Sequence, residues 1–270
     1  MNWTDWTLQH EIPLRLGLFI GVFVVMALWE QRLPKRRLQA PKHARWLNNI
    51  ALVVLNSLVL RILFPTAAAG VALFAEIHGW GLLNALPLPE LVAVVVAMIA
   101  LDFAIYTQHV VFHRVPWLWR LHQVHHADVD FDVTTGARFH TLEIILSMLI
   151  KFAVIVLLGA PAVAVVLFEV LLNASAMFNH ANVSLPARLD RALRWIIVTP
   201  DMHRVHHSVR ASCFNTNFGF NLPWWDRLFG TYRAQPEESH EEMLIGQRGL
   251  RDPKHVQWLP GVLMLPFQKS

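Results

Sequence analysis

Histidines are the residues of this chain whose spacing indicates chemistry. Eight of the fifteen fall in three short blocks, HVVFH at 109–113, HQVHH at 122–126 and HRVHH at 203–207. Side chains three or four positions apart share one face of an α-helix, so each block directs its imidazoles one way. Imidazole suits zinc, copper, iron and nickel alike, and eight ligands exceed the roughly four that a structural zinc ion takes. The pattern predicts a site for two metal ions, and the residues alone leave the metal open.

The segments that must position these blocks are hydrophobic. Hydrophobic residues make up 55% of the 270 residues and charged residues 16%, below the roughly 25% usual in soluble domains. The single cysteine, Cys213, excludes a disulfide framework and a thiolate zinc finger. The net charge of +4 does not indicate nucleic-acid binding, because the basic residues cluster beside apolar stretches. The first thirteen residues lack a basic region, so no cleavable signal peptide is expected.

Several apolar stretches are long enough to enter a bilayer: 13–30, 46–74, 88–108, and the pair of runs in 141–179. Arg61 and Pro65 interrupt the second stretch, which predicts a kink or a helix followed by an interfacial piece. Gly159 and Pro161 break the last stretch into a hairpin. We predict an all-α polytopic membrane protein with about four membrane-embedded helices plus a hairpin. A cytoplasmic helical cap is expected to carry the histidine-rich dimetal site.

Charge in the loops predicts the orientation. Lysine and arginine concentrate between the first two stretches, at Arg32, Lys35, Arg36, Arg37, Lys42 and Arg45. Such a loop is expected on the cytoplasmic side. Three crossings then place His109 at the cytoplasmic boundary, and the hairpin returns the third block to the same side. We therefore expect an integral membrane protein, in a bacterial inner membrane, whose active site faces the cytoplasm.

Two carboxylates lie inside apolar stretches, where a charge is costly and commonly functional. Asp102 precedes His109 by seven residues on about the same helical face, and Glu169 shares a stripe with Asn173 and His180. We predict that Asp102 and Glu169 support catalysis by orienting ligands. Other carboxylates near the blocks are candidates to accept the second N–H of a ligating histidine: Asp128, Asp130, Asp132, Glu143 and Asp201. For Asp128 and Asp130, a solvated charge beside the membrane is an equal alternative.

The segment WWDRLFG at 224–230 is interpreted as an aromatic anchor at the membrane interface, with Asp226 paired to a nearby arginine. Asn215 and Asn217 are expected to cap or lock the loop after the third block.

The order of the three blocks resembles the fatty acid hydroxylase / sterol desaturase superfamily of integral membrane oxygenases. Four further stretches resemble its bacterial sterol-desaturase-like members: RFHTLEI at 138–144, FNHANV at 178–183, TPDMHRVHHS at 199–208 and NTNFGFNLPWWDRLFGTY at 215–232. The resemblance covers 88–235, which we treat as the catalytic domain. It leaves an amino-terminal transmembrane region at 1–87 and a carboxy-terminal cytoplasmic tail at 236–270.

The resemblance implies a non-haem centre of two iron ions, dioxygen as co-substrate, and hydroxylation or desaturation of an unactivated C–H bond in a lipid from the bilayer. Zinc is an expected substitute for iron in purified protein. The resemblance also implies a separate electron donor, either a reductase or a carrier similar to cytochrome b5 or ferredoxin. The metal ligands that it implies are His109, His113, His122, His125, His126, His180, His203, His206 and His207. His140, a histidine in the sterol-acting branches, is either a further ligand or a support for one.

Substrate and function keep alternatives at this stage. Ala176 stands where the fatty-acid 2-hydroxylase branch has a histidine, which favours sterol-like or ether-lipid substrates, while fatty-acyl and carotenoid substrates stay open. A histidine-rich metal transporter or metal-binding protein is the rival, although transporter sites tend to lie near the membrane midplane. A haem-binding electron carrier would account for four histidines and not for nine.

Overall fold

The computed structural model describes residues 2–268. Within that range the chain forms helices, loops and isolated β-bridges, with no β-strand. The α-helices are α1 Trp3–Gln9, α2 Glu11–Arg32, α3 Lys42–Leu63, α4 Ala67–Ile77, α5 Glu90–Arg114, α6 Pro116–His126, α7 Thr141–Leu158, α8 Ala162–Asn179, α9 Ala187–Leu193, α10 Pro200–His206, α11 Ala211–Phe214, α12 Trp224–Leu228, α13 Pro253–Val256 and α14 Leu259–Met264. The predicted all-α fold is confirmed.

Five helical segments are long and apolar enough to cross a membrane: α2, α3 together with α4, α5, α7 and α8. Their mean hydropathy lies between 1.8 and 2.4. The protein is therefore an integral membrane protein. The two apolar runs of 141–179 form the consecutive helices α7 and α8, and α4 packs against both of them.

Proline and glycine set the helix boundaries that matter for the site. Pro116 begins α6 directly after α5, so the first two histidine blocks lie on consecutive helices. Gly159 ends α7 in the left-handed conformation, at φ 68°, and Pro161 precedes α8. A side chain at Gly159 would also meet the carbonyl oxygen of Trp80 at 2.8 Å. Pro65 lies in the break between α3 and α4, where the sequence predicts a kink or a second piece.

Helix α8 forms the centre of the helical bundle. More than half of its spanning window, 56%, is buried, against 11% for α2, α3 with α4, and α7. It packs against α2, α4 and α5, and its side chains Ala164, Val165 and Phe168 are buried in the largest apolar cluster. Because His180 directly follows the last residue of α8, this packing also fixes one end of the histidine-rich region.

Arg45, at the start of α3, anchors the loop after the second histidine block. Its guanidinium donates to Asp128 at 2.7 Å and to Asp132 at 2.6 Å, and all three side chains are buried. Asp130 accepts from the backbone N–H groups of Gln39 and Ala40 at 2.8–3.0 Å. The interpretation of Asp128 and Asp130 as solvated charges was therefore wrong, because both lie inside the protein with fixed donors. The Arg45 charge, which also entered the orientation argument, is a buried ion-pair partner.

The part of the carboxy-terminal tail at 256–265 packs against α3 and α6. Val256 and Val262 form an apolar cluster with Leu52 of α3 and Val124 of α6. Arg138, which is buried, donates to the carbonyl oxygens of Val124 and Val256 at 2.8 and 2.6 Å. The tail thus braces α6, while the division of the chain into three regions stays a prediction.

Replacing Arg45 with methionine is expected to lower the free energy of unfolding by about 3–5 kcal/mol, because two buried carboxylates lose their partner. Thermal unfolding of the purified protein in detergent, followed by tryptophan fluorescence, measures the effect. Arg37→Met, at an exposed position of the preceding loop, is the matched control and should unfold with the parent. Equal midpoints for the two variants would show that the Arg45 ion pairs do not stabilise the fold.

Candidate metal centre

Nine histidines meet in two adjacent groups. The first group holds His109, His113, His122, His126 and His206, and the second holds His125, His180, His203 and His207. Within each group one nitrogen per ring lies within 4.8 Å of all the others. These are the nine positions that the sequence analysis proposes as ligands, and the fold brings every one of them together.

Helix geometry divides the blocks between the groups. In α6, His122 and His126 are one turn apart and face the first group, while His125 faces the second. The third block does the reverse. His203 and His207 face the second group and His206 faces the first. Each H-x-x-H-H block therefore contributes to both groups.

Hydrogen bonds to backbone carbonyls orient four of the rings through Nδ1. His109 donates to Phe218 and His206 donates to Thr216, each at 2.8 Å. His180 donates to Ala176 at 2.8 Å and His125 to Arg138 at 3.2 Å. A fixed Nδ1–H selects the tautomer whose Nε2 lone pair points away from the anchor.

Glu143 provides the corresponding acceptor for His122, whose Nδ1 lies 2.6 Å from its Oε1. Several carboxylates were proposed to orient a ligand. Within residues 2–268, Glu143 is the one among them that is hydrogen-bonded to any of the nine histidines. The others are held elsewhere. Asp128 and Asp132 pair with Arg45, Asp130 caps backbone N–H groups, and Asp201 pairs with Arg204.

The free nitrogens fit a cation. Nε2 of His109, His122 and His206 is buried and has no hydrogen-bond partner in the described part of the chain, which would cost about 1–3 kcal/mol each without a ligand. In the second group, Nε2 of His180 lies 3.2 Å from that of His125 and 3.1 Å from that of His203. Nitrogens that share an ion at about 2.0–2.1 Å lie about 2.9–3.4 Å apart. The donor set therefore suits a transition metal in each group.

Burial keeps the rings in the uncharged form that binds metals. It is the main cause that lowers the pKa of His180 and of His206 to about 3. Burial and the neighbouring imidazoles also hold the pKa of four further rings well below the ordinary histidine value: His125, His126, His203 and His207. Neutral imidazole offers its lone pair without first losing a proton.

A cavity of about 580 Å³ opens onto both groups. His109 and His122 of the first group and His125 of the second form part of its wall, and apolar side chains such as Phe112, Phe139 and Met177 form most of the rest. Its volume lies within the range of about 300–1,000 Å³ typical of ligand pockets. Phe139 also stacks on His125 with ring centroids 4.4 Å apart, so an apolar wall adjoins the imidazoles directly.

Asp102 and Glu169 contact none of the nine histidines, and a catalytic role for them stays a prediction. Asp102 is buried and accepts from Asn221 and Trp225, each at 2.8 Å. It thereby holds the loop whose Phe218 carbonyl anchors His109. Glu169 lines the cavity, paired with Arg15 and Lys151.

Three further predictions from the sequence concern His140, Asp226 and Asn217. His140 lies outside both groups, where its Nδ1 caps α7 and its Nε2 donates to the Leu263 carbonyl at 3.1 Å. The prediction that Asp226 pairs with a nearby arginine was wrong. Its carboxylate is buried and accepts from the N–H groups of Phe218 and Gly219 and from Thr231, and burial raises its pKa to about 6. Asn217 does lock its loop, since its side chain bonds to Met202 and Arg233 backbone groups.

Sequence reasoning missed Arg45 and the carbonyl anchors. The alternating aspartates at 128, 130 and 132 beside an apolar stretch indicate a buried cation, although they do not identify Arg45 as that cation. The carbonyl anchors have no such signal, since every residue carries a carbonyl.

Comparisons with known proteins find similarity to hydroxylases and monooxygenases. The sequence model of the fatty acid hydroxylase family matches residues 94–231. The ornithine lipid hydroxylase OlsE of Rhizobium tropici is 28% identical over 239 residues, which are 84% of this chain and 70% of that protein. Human (Homo sapiens) alkylglycerol monooxygenase is 30% identical over 148 residues, 53% of this chain and 31% of that protein. Cholesterol 25-hydroxylase of Rattus norvegicus is 24% identical over 146 residues, which are 53% of this chain and 47% of that protein. No solved structure matches the chain.

Replacing Glu143 with glutamine is expected to weaken metal binding in the first group by about 10- to 100-fold, because His122 loses a charged acceptor. Metal retained per protein after dialysis against graded chelator concentrations measures the change. Glu242→Gln, at an exposed position, serves as the control and should retain metal like the parent. A Glu143→Gln protein that also retains it would show that the contact does not support a ligand.

Proposed function

The chain belongs to the fatty acid hydroxylase family, and we propose that it is a membrane-bound oxygenase that uses dioxygen and two iron ions to oxidise an unactivated C–H bond of a lipid. The observation that carries the proposal is the convergence of nine buried imidazoles in two groups beside one apolar cavity. An apolar wall next to the imidazoles suits a hydrocarbon substrate. The similarity to three lipid hydroxylases or monooxygenases supports the same reaction class.

Each group of histidines would hold one iron ion. Five imidazoles are available to the first ion and four to the second, so nitrogen ligands replace the carboxylates of soluble di-iron proteins. A bound iron pair would supply the activation of dioxygen that protein side chains cannot perform. Zinc would fit the same nitrogen donors, so the metal found in purified protein depends on its supply.

The protein's own residues position the substrate and exclude water. Leu16 and Leu18 of α2 line the cavity and are also 57% and 43% exposed, so we infer that the cavity opens on this apolar flank of the bundle. A lipid could enter there from the bilayer. Phe112, Phe139 and Met177 then surround its hydrocarbon part and keep water from the imidazoles.

Hydroxylation needs electrons that the substrate does not provide. One atom of dioxygen enters the C–H bond, and the other leaves as water with two electrons and two protons from a donor. We propose a separate donor, either a reductase or a carrier similar to cytochrome b5 or ferredoxin. We also propose that the centre faces the cytoplasm of a bacterial inner membrane, because lysine and arginine concentrate in the loop between the first two apolar stretches. Hydroxylation is favoured over desaturation because the similar proteins are named hydroxylases and monooxygenases.

The substrate is proposed as a lipid of one of four classes: sterol-like, ether-lipid, fatty-acyl or carotenoid. The relatives act, by their names, on ornithine lipid, alkylglycerol and cholesterol. Comparison of lipid extracts from cells with and without the active protein, by mass spectrometry with labelled dioxygen, would identify the product. A labelled oxygen atom in one lipid class would establish the substrate.

Substitution of one ligand in each group tests the two-metal proposal. His206→Ala in the first group and His180→Ala in the second are each expected to lower labelled-oxygen incorporation by at least about 100-fold. Each should also lower iron per protein from about two ions to one or fewer. Iron content by elemental analysis and product by mass spectrometry measure both quantities.

His255→Ala, at an exposed position of α13, controls for the loss of any histidine and should keep both iron and activity. Parent protein that holds iron and a competent electron donor, yet consumes no dioxygen with any of the four lipid classes, would overturn the proposal. So would full activity in either ligand variant.

A further inference from the structure

Three charged side chains from different spanning helices meet at the wall of the cavity. Glu169 of α8 accepts from Arg15 of α2 at 2.5 Å and from Lys151 of α7 at 2.6 Å. All three residues line the cavity, and Glu169 is only 7% exposed. Charged side chains within spanning segments are costly and commonly mark a substrate path. We refer to Arg15, Lys151 and Glu169 as the charged cluster.

The arrangement holds more cations than are needed to neutralise the Glu169 carboxylate. One cation would compensate Glu169, yet two contact it, so the three residues of the cluster carry a net charge of +1. The other carboxylate of the cavity wall, Glu143, is bonded to His122. Glu11 is the other carboxylate near Arg15. Its Oε2 forms an ion pair with Nη2 of Arg15 at 3.6 Å, and Glu11 does not line the cavity. At the cavity itself, the cluster therefore presents two cations beside one carboxylate.

The donors of the cluster also outnumber its acceptors. A lysine ammonium has three N–H groups, and Lys151 donates one hydrogen bond, to Glu169. Nη2 of Arg15 is buried and makes no hydrogen bond among residues 2–268, with the Glu11 carboxylate 3.6 Å away. Unused N–H groups beside a cavity are satisfied by an acceptor that enters it, and charge favours an anionic one.

The cluster lies at a defined distance from the histidines. Glu169 precedes His180 by eleven residues of α8, about 16 Å along the helix axis. Lys151 follows Glu143, the partner of His122, by eight residues of α7, about 12 Å. Apolar side chains of the same cavity, including Ile144, Met148 and Leu172, lie on these two helices between the ends.

We propose that the charged cluster binds an oxyanion of the lipid substrate, a carboxylate or a phosphate, and so sets which carbon reaches the histidines. The inference rests on the proposed function and narrows its substrate to lipids with an anionic group. Arg15 and Lys151 donate to the oxyanion, while Glu169 holds the two cations side by side. The oxidised C–H bond then lies about 12–16 Å from the anionic group, with an apolar segment in between.

Binding of three lipids with one chain length tests the proposal without turnover. The probes are palmitic acid, hexadecyl phosphate and hexadecanol, each radiolabelled and equilibrated with the immobilised holoenzyme in non-ionic detergent. The parent is expected to bind at least one of the two anions about tenfold or more tightly than the alcohol. Which anion binds more tightly distinguishes a carboxylate from a phosphate source.

Lys151→Met and Arg15→Met are each expected to reduce this preference to about threefold or less, while Lys151→Arg retains most of it. Arg61→Met is the matched control, because Arg61 is an exposed cation of α3 that does not line the cavity. Thermal unfolding of each variant separates lost binding from lost folding. A folded Lys151→Met protein that keeps the full preference, or a parent that binds all three probes equally, would overturn the proposal.

Iron content is measured on the same samples, so the two proposals fail separately. If the parent holds two irons and incorporates oxygen but binds the three probes equally, the role of the charged cluster is rejected and the proposed function stands. Preference for anions in a parent that never oxidises a lipid supports the binding site and rejects the oxygenase.

Discussion

The crowding of uncharged imidazoles in a buried space is the constraint on which the rest of the structure depends. Nine nitrogen lone pairs directed to two points repel one another unless a cation lies between them. Six of the rings outside the spanning helices do not gain a charge by protonation, because burial depresses the pKa of each: His125, His126, His180, His203, His206 and His207. The fold must therefore hold the rings in place while preserving their lone pairs. Fixed acceptors for the opposite ring nitrogens meet both demands.

The supports of these rings come from distant parts of the chain. Phe218 and Thr216, after the third block, anchor His109 and His206 through their carbonyls. Asp102 and Asp226 in turn hold the loop that contains Phe218. On the other side of the site, Arg45 fixes the loop that follows α6. The charged residues around the centre thus act mostly on loops, and the loops act on the histidines.

Much of this arrangement could be predicted from sequence because its signals are local. The spacing within each histidine block depends only on helix geometry, and the apolar runs depend only on bilayer thickness. His180 stands alone in sequence, and its place in the set came from the family resemblance. The partner of Asp128 could not be predicted in this way, since Arg45 lies 83 residues away and its charge had an equally plausible reading as a loop cation. The same limit applies to Asp226, whose donors are mostly backbone N–H groups.

The division of each H-x-x-H-H block between the two groups has a consequence for assembly. Helix α6 and the third block each contribute rings to both groups, so neither helix can shift without disturbing both. An ion held by one group would draw the other group's rings toward their bound positions, and departure of either ion would loosen the remaining one. If each group holds one ion, as proposed, filling and emptying of the pair would be linked through α6 and the third block, and the half-loaded protein would be disfavoured relative to the empty and full forms.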